Sequence, residues 1–157
     1  MKVAVIMGSK SDYPKVEEGI NVLKEFGVEV VVRALSAHRT PVQLTECLEG
    51  LEGNTDVIIA AAGKAAHLPG VIAAQTLIPV VGLPIKSSTM DGLDSLLSIV
   101  QMPKGIPVAT VAIDGGLNSA LLALQMMALK YPELTGKLQA YRDEMAKKVL
   151  DDDASLR

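Results

Sequence analysis

Short apolar runs alternate with segments of helical periodicity along this chain. Five runs have the length and composition of buried strands, at residues 3–7, 28–35, 56–62, 80–83 and 107–113. The segments between and after them carry apolar residues at helical spacing, which predicts helices at residues 16–26, 41–51, shortly after 70, 91–101, 117–130 and 132–150. Strands and helices in alternation predict a parallel sheet covered on both faces, with right-handed crossovers. We therefore expect an α/β fold, a three-layer doubly wound domain with a five-stranded parallel sheet and C-terminal helices.

Composition and charge are those of an ordinary enzyme domain. The 157 residues are predicted to form one domain, 1–157, in which the acidic residues 151–153 belong to a polar, solvated tail. The net charge is −3 without a basic cluster, so we expect neither nucleic acid nor a membrane surface as a partner. No signal peptide or membrane span is visible, and the single cysteine, Cys47, fits a reducing compartment, which predicts a cytoplasmic protein. Two histidines and one cysteine are too few for a zinc site.

A histidine and an arginine lie side by side where the second predicted strand meets the next helix. His38 and Arg39 follow residues 28–35, and Thr40 with Pro41 has the pattern of an N-cap and a first helical turn. Ligands of open α/β sheets bind at the carboxyl ends of the strands. An imidazole moves protons near neutral pH, and a guanidinium holds a phosphate or carboxylate through several donors. Catalysis by His38 and anion binding by Arg39 are the functional interpretation; an ordinary surface loop is the alternative.

The loop after the first predicted strand is a candidate anion and ribose site. Gly8 permits a tight turn before a helix, and the N–H groups at a helix start favour an anion. Ser9 and Ser11 add hydroxyl donors, and the carboxylate of Asp12 is suited to accept from both hydroxyls of a ribose. Simple capping of the helix by Ser11 or Asp12 is the alternative. The complete glycine fingerprint of a dinucleotide site is absent.

Two more polar loops follow the third and fourth predicted strands. His67 lies in an alanine-rich loop bounded by glycines, where a backbone is able to approach a ligand closely. It is either a ligand contact or a hydrogen-bonded anchor of the loop. Residues 86–89 (Lys-Ser-Ser-Thr) are either part of the same rim of polar loops or a linker to the next helix.

Several motifs along the chain resemble those of one enzyme family in both order and spacing. They are Met-Gly-Ser-Lys-Ser-Asp at 7–12, Ser-Ala-His-Arg-Thr-Pro at 36–41, Ala-Ala-His-Leu-Pro-Gly at 65–70, Gly-Leu-Asp-Ser-Leu at 92–96, Ser-Ile-Val-Gln-Met-Pro at 98–103 and Gly-Ile-Pro-Val at 105–108. The chain resembles the N5-carboxyaminoimidazole ribonucleotide mutases of de novo purine biosynthesis over nearly its whole length.

This resemblance implies a flavodoxin-like fold, a homo-octamer, and a reaction without a metal or an organic cofactor. The implied reaction converts N5-carboxyaminoimidazole ribonucleotide to 4-carboxyaminoimidazole ribonucleotide on the route to IMP, with coupling to the ATP-dependent synthetase that supplies the carbamate. It implies His38 as the acid/base and Ser9, Asp12 and Arg39 as ligands of the ribonucleotide. Further substrate contacts are expected in the same loops, at Ser11, Ser36, Gly63, Lys64 and His67.

One position departs from the family pattern. Familiar bacterial mutases have Gly-Gly-Ala-Ala-His in the third loop, whereas this chain has Lys64 in place of the second glycine. Related carboxylases that use carbon dioxide directly resemble Gly-Arg-Ser-Asn there, with a basic residue at that position. Lys64 either attracts a carboxylate or points to solvent or a neighbouring subunit. Direct carboxylation of aminoimidazole ribonucleotide is therefore the alternative within the family.

A non-catalytic flavodoxin-like nucleotide-binding module is the alternative from another class. A phosphoreceiver should carry an acidic residue at the end of the third strand, where Ala62 and Gly63 stand. A flavin carrier should bring aromatic residues to its ring, and the chain has one Phe and no Trp.

Two structural expectations complete the mutase interpretation. A dry pocket wall for carbon dioxide is expected from Ala65, Ala66, Leu68 and Pro69. The predicted helix 117–130 is apolar on nearly all sides, so we expect it to be buried between subunits.

Overall fold

A five-stranded parallel sheet forms the centre of the molecule. The structure is a computed structural model that describes all of residues 1–157. The strands lie in the order β2-β1-β3-β4-β5 and are β1 (Lys2–Met7), β2 (Glu29–Ala34), β3 (Val57–Gly63), β4 (Val80–Ile85) and β5 (Ala109–Thr110). The helices are α1 (Tyr13–Glu25), α2 (Pro41–Leu51), α3 (Leu68–Ala73), α4 (Leu93–Val100), α5 (Gly116–Ala128) and α6 (Glu133–Ser155). The predicted α/β fold is confirmed, and this strand order is that of flavodoxin-like proteins.

Successive residues of the central strands pack into two separate apolar layers. In β3, Ile59 and Ala61 face one cluster, whereas Ile58 and Ala60 face the other, and all four are buried. The first cluster is completed by α1, α5 and α6, and the second by α2, α3 and α4. Because strand side chains alternate between faces, a strand that is apolar at every position needs cover on both sides. The continuous apolar runs in the sequence therefore account for the three layers.

Strand β5 is much shorter than the predicted segment 107–113. It pairs with β4 only at Ala109 and Thr110. In β4, the carbonyls of Gly82 and Pro84 both point towards β5, since they accept from the N–H groups of Val111 and Asp114. The nitrogen of Pro84 points the same way but has no hydrogen to donate, so the ladder cannot continue there.

Several helix boundaries also differ from prediction. Helix α1 begins at Tyr13 rather than at residue 16. Helix α4 begins at Leu93 rather than at residue 91, because residues 90–92 have φ values of 52°, 53° and 95°, which are left-handed. Helix α6 continues to Ser155, so residues 151–153 are exposed, as expected, but helical rather than a tail. Ion pairs one turn apart support this last segment, from Lys147 to Asp151 and from Arg157 to Asp153. None of the helices combines the length and apolar character needed to cross a bilayer.

Helices α1 and α5 meet at a close contact between two glycines. A Cβ atom added to Gly19 would lie 2.4 Å from the carbonyl oxygen of Gly116, and one added to Gly116 would lie 2.0 Å from that of Lys15. Neither position has room for a side chain, so the helix backbones approach closely. The contact fixes the position of α1 against α5. Because α1 follows directly from the first polar loop, the contact also restrains one end of that loop.

Replacing Gly19 with alanine tests this contact. We expect Gly19→Ala to lower the free energy of unfolding by about 1–3 kcal/mol, because the added carbon overpacks the helix contact. Gly136 in α6 has nothing within 4 Å of the corresponding position, so Gly136→Ala should stabilise by about 0.5–1 kcal/mol through helix propensity. Urea unfolding at one protein concentration measures both. Equal free energies of unfolding for the two variants would contradict the tight packing described at Gly19.

Candidate active site

A cavity of about 500 Å³ opens at the carboxyl edge of the sheet, where β2, β1, β3 and β4 end. The size suits a small-molecule ligand. The lining comes from the ends of these strands and from the segments that follow each of them: Gly8, Ser9 and Asp12; Ser36, Ala37, His38 and Arg39; Ala62, Gly63, Lys64, Ala66 and Leu68; and Ile85, Lys86, Ser87 and Ser88. The structure thus brings together seven of the nine residues predicted for the site, and it leaves out Ser11 and His67.

In the loop after β1, one predicted residue supports another. The hydroxyl oxygen of Ser9 accepts from the Ser11 N–H at 3.3 Å and from the Ser11 hydroxyl at 2.9 Å. Ser9 lines the cavity, whereas Ser11 does not. Ser11 therefore does not face the cavity directly. Its hydroxyl orients the hydroxyl of Ser9 instead.

Asp12 is the only carboxylate in the cavity lining. Burial raises the pKa of Asp12, and hydrogen bonds from the Ser9 backbone and the Ser11 hydroxyl, together with the charge of Arg39, offset this only in part. A carboxylate in such a position gains from additional donors. A ligand that brings a pair of hydroxyl groups would supply them.

The loop after β2 is closed by one hydroxyl. The Oγ1 atom of Thr40 accepts from the Ser36 N–H at 2.9 Å and donates to the Ser36 carbonyl at 3.1 Å. Thr40 does occupy the N-cap position of α2, but its hydroxyl makes no capping bond. The predicted N-cap position is therefore confirmed, but the hydroxyl ties the two ends of the loop together instead of capping the helix.

This closed loop presents His38 and Arg39 to the cavity. The Ser36 hydroxyl accepts from the Arg39 N–H at 3.3 Å, and Arg39 Nη2 donates to the Gly8 carbonyl at 2.8 Å. Arg39 therefore joins the loops after β2 and β1 and still has other N–H groups for a ligand. The His38 side chain is exposed in the cavity lining, so its ring nitrogens are accessible.

The loop after β3 places Gly63 and Lys64 in the cavity lining. Lys64 is exposed and has a φ of 59°, in the left-handed region where glycine is favoured. A glycine at this position would adopt the same backbone without strain. The lysine thus carries a positive charge to the cavity on a backbone that costs it about 1 kcal/mol or more.

His67 is an anchor between α3 and α4, and it does not line the cavity. Its Nδ1–H donates to the Ser98 carbonyl at 2.6 Å, which requires the proton on that nitrogen. The other side of the ring packs on Gly70, where an added Cβ would lie 2.4 Å from Nε2. Of the two roles open for His67, the geometry supports loop anchor rather than substrate contact.

The loop after β4 contributes more than the sequence indicated. Lys86, Ser87 and Ser88 line the cavity, so residues 86–89 belong to the rim and are not merely a linker. The backbone N–H of Lys86 donates to Asp114 Oδ1 at 2.8 Å, and its Nζ lies 3.2 Å from Asp91 Oδ1. The sequence signal for this role was position alone, since these residues follow a predicted strand, as His38 does.

Five apolar side chains and an excess of cations complete the cavity. The apolar lining is Ala37, Ala62, Ala66, Leu68 and Ile85. Ala66 and Leu68 were predicted, whereas Ala65 and Pro69 lie outside the lining. Three cations face one carboxylate although the whole chain has a net charge of −3. The structure shows no group of three or more His, Cys, Asp or Glu side chains placed to hold a metal ion. The cavity suits an organic anion.

A double-mutant cycle tests the anchor at His67. Gly70→Ala should lower the free energy of unfolding by about 1–3 kcal/mol, because its methyl group displaces the ring. In a His67→Ala background the ring is absent, so the same change should cost much less. Urea unfolding of the four proteins at equal concentration gives the coupling. An equal cost in both backgrounds would contradict the packing described.

Comparisons with known proteins identify the family of this chain. Residues 2–148 match the AIR carboxylase family. An N5-carboxyaminoimidazole ribonucleotide mutase of Pyrococcus abyssi is 58% identical over 145 residues, which are 92% of this chain and 83% of that protein. The mutase of Methanocaldococcus jannaschii is 52% identical over 99% of this chain and 97% of its own length. The crystal structure of Treponema denticola PurE superposes with a TM-score of 0.90 at 29% identity, covering 99% of this chain and 98% of that one. The chain belongs to the AIR carboxylase family.

Proposed function

We propose that this protein converts N5-carboxyaminoimidazole ribonucleotide to 4-carboxyaminoimidazole ribonucleotide in de novo purine biosynthesis. It acts as an isomerase that moves a carboxyl group within its substrate. The observation that carries the proposal is the cavity itself, which combines an accessible imidazole, an excess of cations and an apolar wall. The relatives from Pyrococcus abyssi and Methanocaldococcus jannaschii are both N5-carboxyaminoimidazole ribonucleotide mutases.

The proposed binding of the ribonucleotide uses the loops after β1 and β2. Arg39 holds the phosphate through the N–H groups that Gly8 leaves free, and Ser9 adds a hydroxyl donor. Asp12 accepts from the ribose hydroxyls, which supply the donors that its half-buried carboxylate lacks. Ser36 and the backbone of Gly63 complete the contacts, whereas Ser11 and His67 act indirectly, through Ser9 and through the loop after β3.

His38 performs both proton transfers in the proposed reaction. It first donates a proton to the carbamate nitrogen, the N–C bond breaks, and carbon dioxide and the amine form. The neighbouring ring carbon then attacks carbon dioxide, and the new C–C bond creates the carboxylate. That carbon finally loses its proton to His38, which returns to its starting state. One imidazole suits both roles, because a histidine side chain is able to donate and accept a proton near neutral pH.

The apolar side of the cavity keeps carbon dioxide beside the ring. Ala66 and Leu68 from the loop after β3, with Ala37 and Ile85, offer no polar group that would promote hydration of the gas. Confinement replaces a second-order encounter by a reaction between held partners, an effect worth on the order of 7–11 kcal/mol when the alignment is good. Confinement of carbon dioxide therefore explains why the proposed site needs few catalytic groups.

The proposal extends to the assembly and setting of the protein. Residues 1–157 act as a single mutase domain within a cytoplasmic homo-octamer, with functional coupling to an ATP-dependent synthetase that makes the unstable carbamate. Uncovered apolar side chains support the octamer: Leu129 is 91% exposed, and Leu97, Val100, Met145 and Val149 are also exposed. One side of α5 is already buried against the sheet and α1, so only its remaining surface and its end are available to neighbours.

Two carboxyl sources and two variants test the proposed reaction. The wild type should turn over the carbamate nucleotide far more efficiently than aminoimidazole ribonucleotide with bicarbonate. His38→Asn should abolish turnover with nucleotide affinity nearly unchanged, because it removes the proton carrier and keeps the loop. Arg39→Ala should mainly weaken nucleotide binding, because a charge-assisted contact to phosphate is lost. Steady-state rates and calorimetric titration measure these effects.

Three results would contradict the proposal. Efficient turnover of aminoimidazole ribonucleotide with bicarbonate, without the carbamate nucleotide, would make the enzyme a direct carboxylase. Near wild-type rates in His38→Asn would remove the histidine from the chemistry. Unchanged affinity in Arg39→Ala with loss of turnover would exchange the roles of the two residues.

Sedimentation tests the assembly. At micromolar concentration we expect a particle of eight times the 16.5 kDa chain mass, because isolated protomers leave extended apolar surface in water. A stable monomer under these conditions would overturn the proposed octamer.

A further inference from the structure

We infer that Lys86 binds the carboxyl group of the substrate and so distinguishes carboxylated from uncarboxylated nucleotides. This inference rests on the proposed function. It assigns a role to the loop after β4, which the reaction described above does not use.

The backbone of Lys86 is held in place from a neighbouring strand end. Its N–H donates to Asp114 Oδ1 at 2.8 Å, and the Asp114 N–H donates to the Pro84 carbonyl at 2.8 Å. Lys15 Nζ lies 2.7 Å from the other carboxylate oxygen of Asp114 and balances its charge. Asp114 has a φ of 56°, so the chain adopts an unfavourable conformation where it makes this double link. The root of the Lys86 side chain is therefore fixed at the cavity wall.

The ammonium group of Lys86 is available to a ligand. Its ion-pair partner is Asp91, at 3.2 Å, and the two side chains are 57% and 86% exposed. Exposed pairs of this kind contribute about 0–1 kcal/mol, so a substrate carboxylate is able to replace Asp91 with little loss. The same pair keeps the lysine near the rim before a ligand binds.

The position of Lys86 matches a ligand with two separated anionic groups. Arg39 is bonded to Gly8 at the end of β1, and Lys86 follows β4, with β3 between them. Two strand spacings separate these points by roughly 10 Å. The phosphate and the carboxyl group of the proposed substrate lie at opposite ends of the molecule, with the ribose between them.

The chemistry of each cation favours one of the two anions. A phosphate with two charges and three free oxygens is best bound by the several donors of Arg39 together with the Ser9 hydroxyl. Lys86 is a compact point charge that lines the cavity together with Ser88 and the apolar Ile85. It suits a single carboxylate that must form and disappear during the reaction.

Binding of two nucleotides that differ only in the carboxyl group tests this assignment. The probes are 4-carboxyaminoimidazole ribonucleotide and aminoimidazole ribonucleotide, titrated calorimetrically. Lys86→Met removes the charge but keeps an unbranched chain, Lys86→Arg keeps the charge, and Lys104→Met changes an exposed lysine outside the cavity. Thermal unfolding verifies that each variant is folded.

We expect Lys86→Met to weaken binding of the carboxylated nucleotide about ten-fold, through loss of a charge-assisted hydrogen bond. Affinity for aminoimidazole ribonucleotide should stay unchanged, Lys86→Arg should keep most of the preference, and Lys104→Met should alter neither affinity. If Lys86→Met weakens the binding of both nucleotides equally, or changes neither affinity, the role of Lys86 is overturned while the proposed function stands. A wild type that binds neither nucleotide would overturn the proposed function as well.

Discussion

The parallel pairing of four strands determines where every functional group of this protein lies. The sheet register sets Met7 of β1 beside Ala34 of β2 and Ala61 of β3, and Gly63 of β3 beside Ile85 of β4. Because the strands run in one direction, the loops that follow them must emerge at one edge. Backbone hydrogen bonds of the buried sheet thus bring together residues that are up to 80 positions apart in the chain.

Hydrogen bonds between loops turn this convergence into a defined cavity. Arg39 bonds to Gly8, His67 bonds to Ser98, and Asp114 bonds to Lys86, each joining segments that are distant in sequence. Each of these hydrogen bonds joins a side chain to a backbone N–H or carbonyl group. Each bond therefore fixes the path of the chain at that point. The remaining N–H groups of Arg39, the ring of His38 and the ammonium of Lys86 stay accessible. The site is therefore prepared for a ligand by hydrogen bonds between its own loops.

The sequence predicted the sheet and helices well where one pattern dominates. Strands β1 to β4 begin and end within two residues of their apolar runs, and α2 has the predicted bounds. The length of β5 depended on Pro84, which belongs to the neighbouring strand, and therefore could not be judged from the 107–113 segment alone. Helix α6 continues through its acidic end because Asp151 and Asp153 find partners one turn away.

Individual side-chain roles were harder to predict, since each depends on a partner far along the chain or on a choice between partners. Thr40 is able to cap a helix or close a loop with the same hydroxyl, and only the fold decides between them. The role of His67 follows from a carbonyl 31 positions away, and that of Lys86 from a carboxylate 28 positions away. His38 and Arg39 do lie at the rim, because their position after a strand was sufficient to predict that placement. Their roles in catalysis and binding stay predictions.

Retention of the carboxyl carbon tests the central claim most directly. Substrate with an isotopic label in the carbamate carbon is converted by the wild type in excess unlabelled bicarbonate, and the carboxyl group of the product is analysed by mass spectrometry. If the apolar wall confines carbon dioxide beside the ring, the product keeps the label. A product carboxyl group that matches the unlabelled solvent pool would contradict confinement and the intramolecular transfer that depends on it.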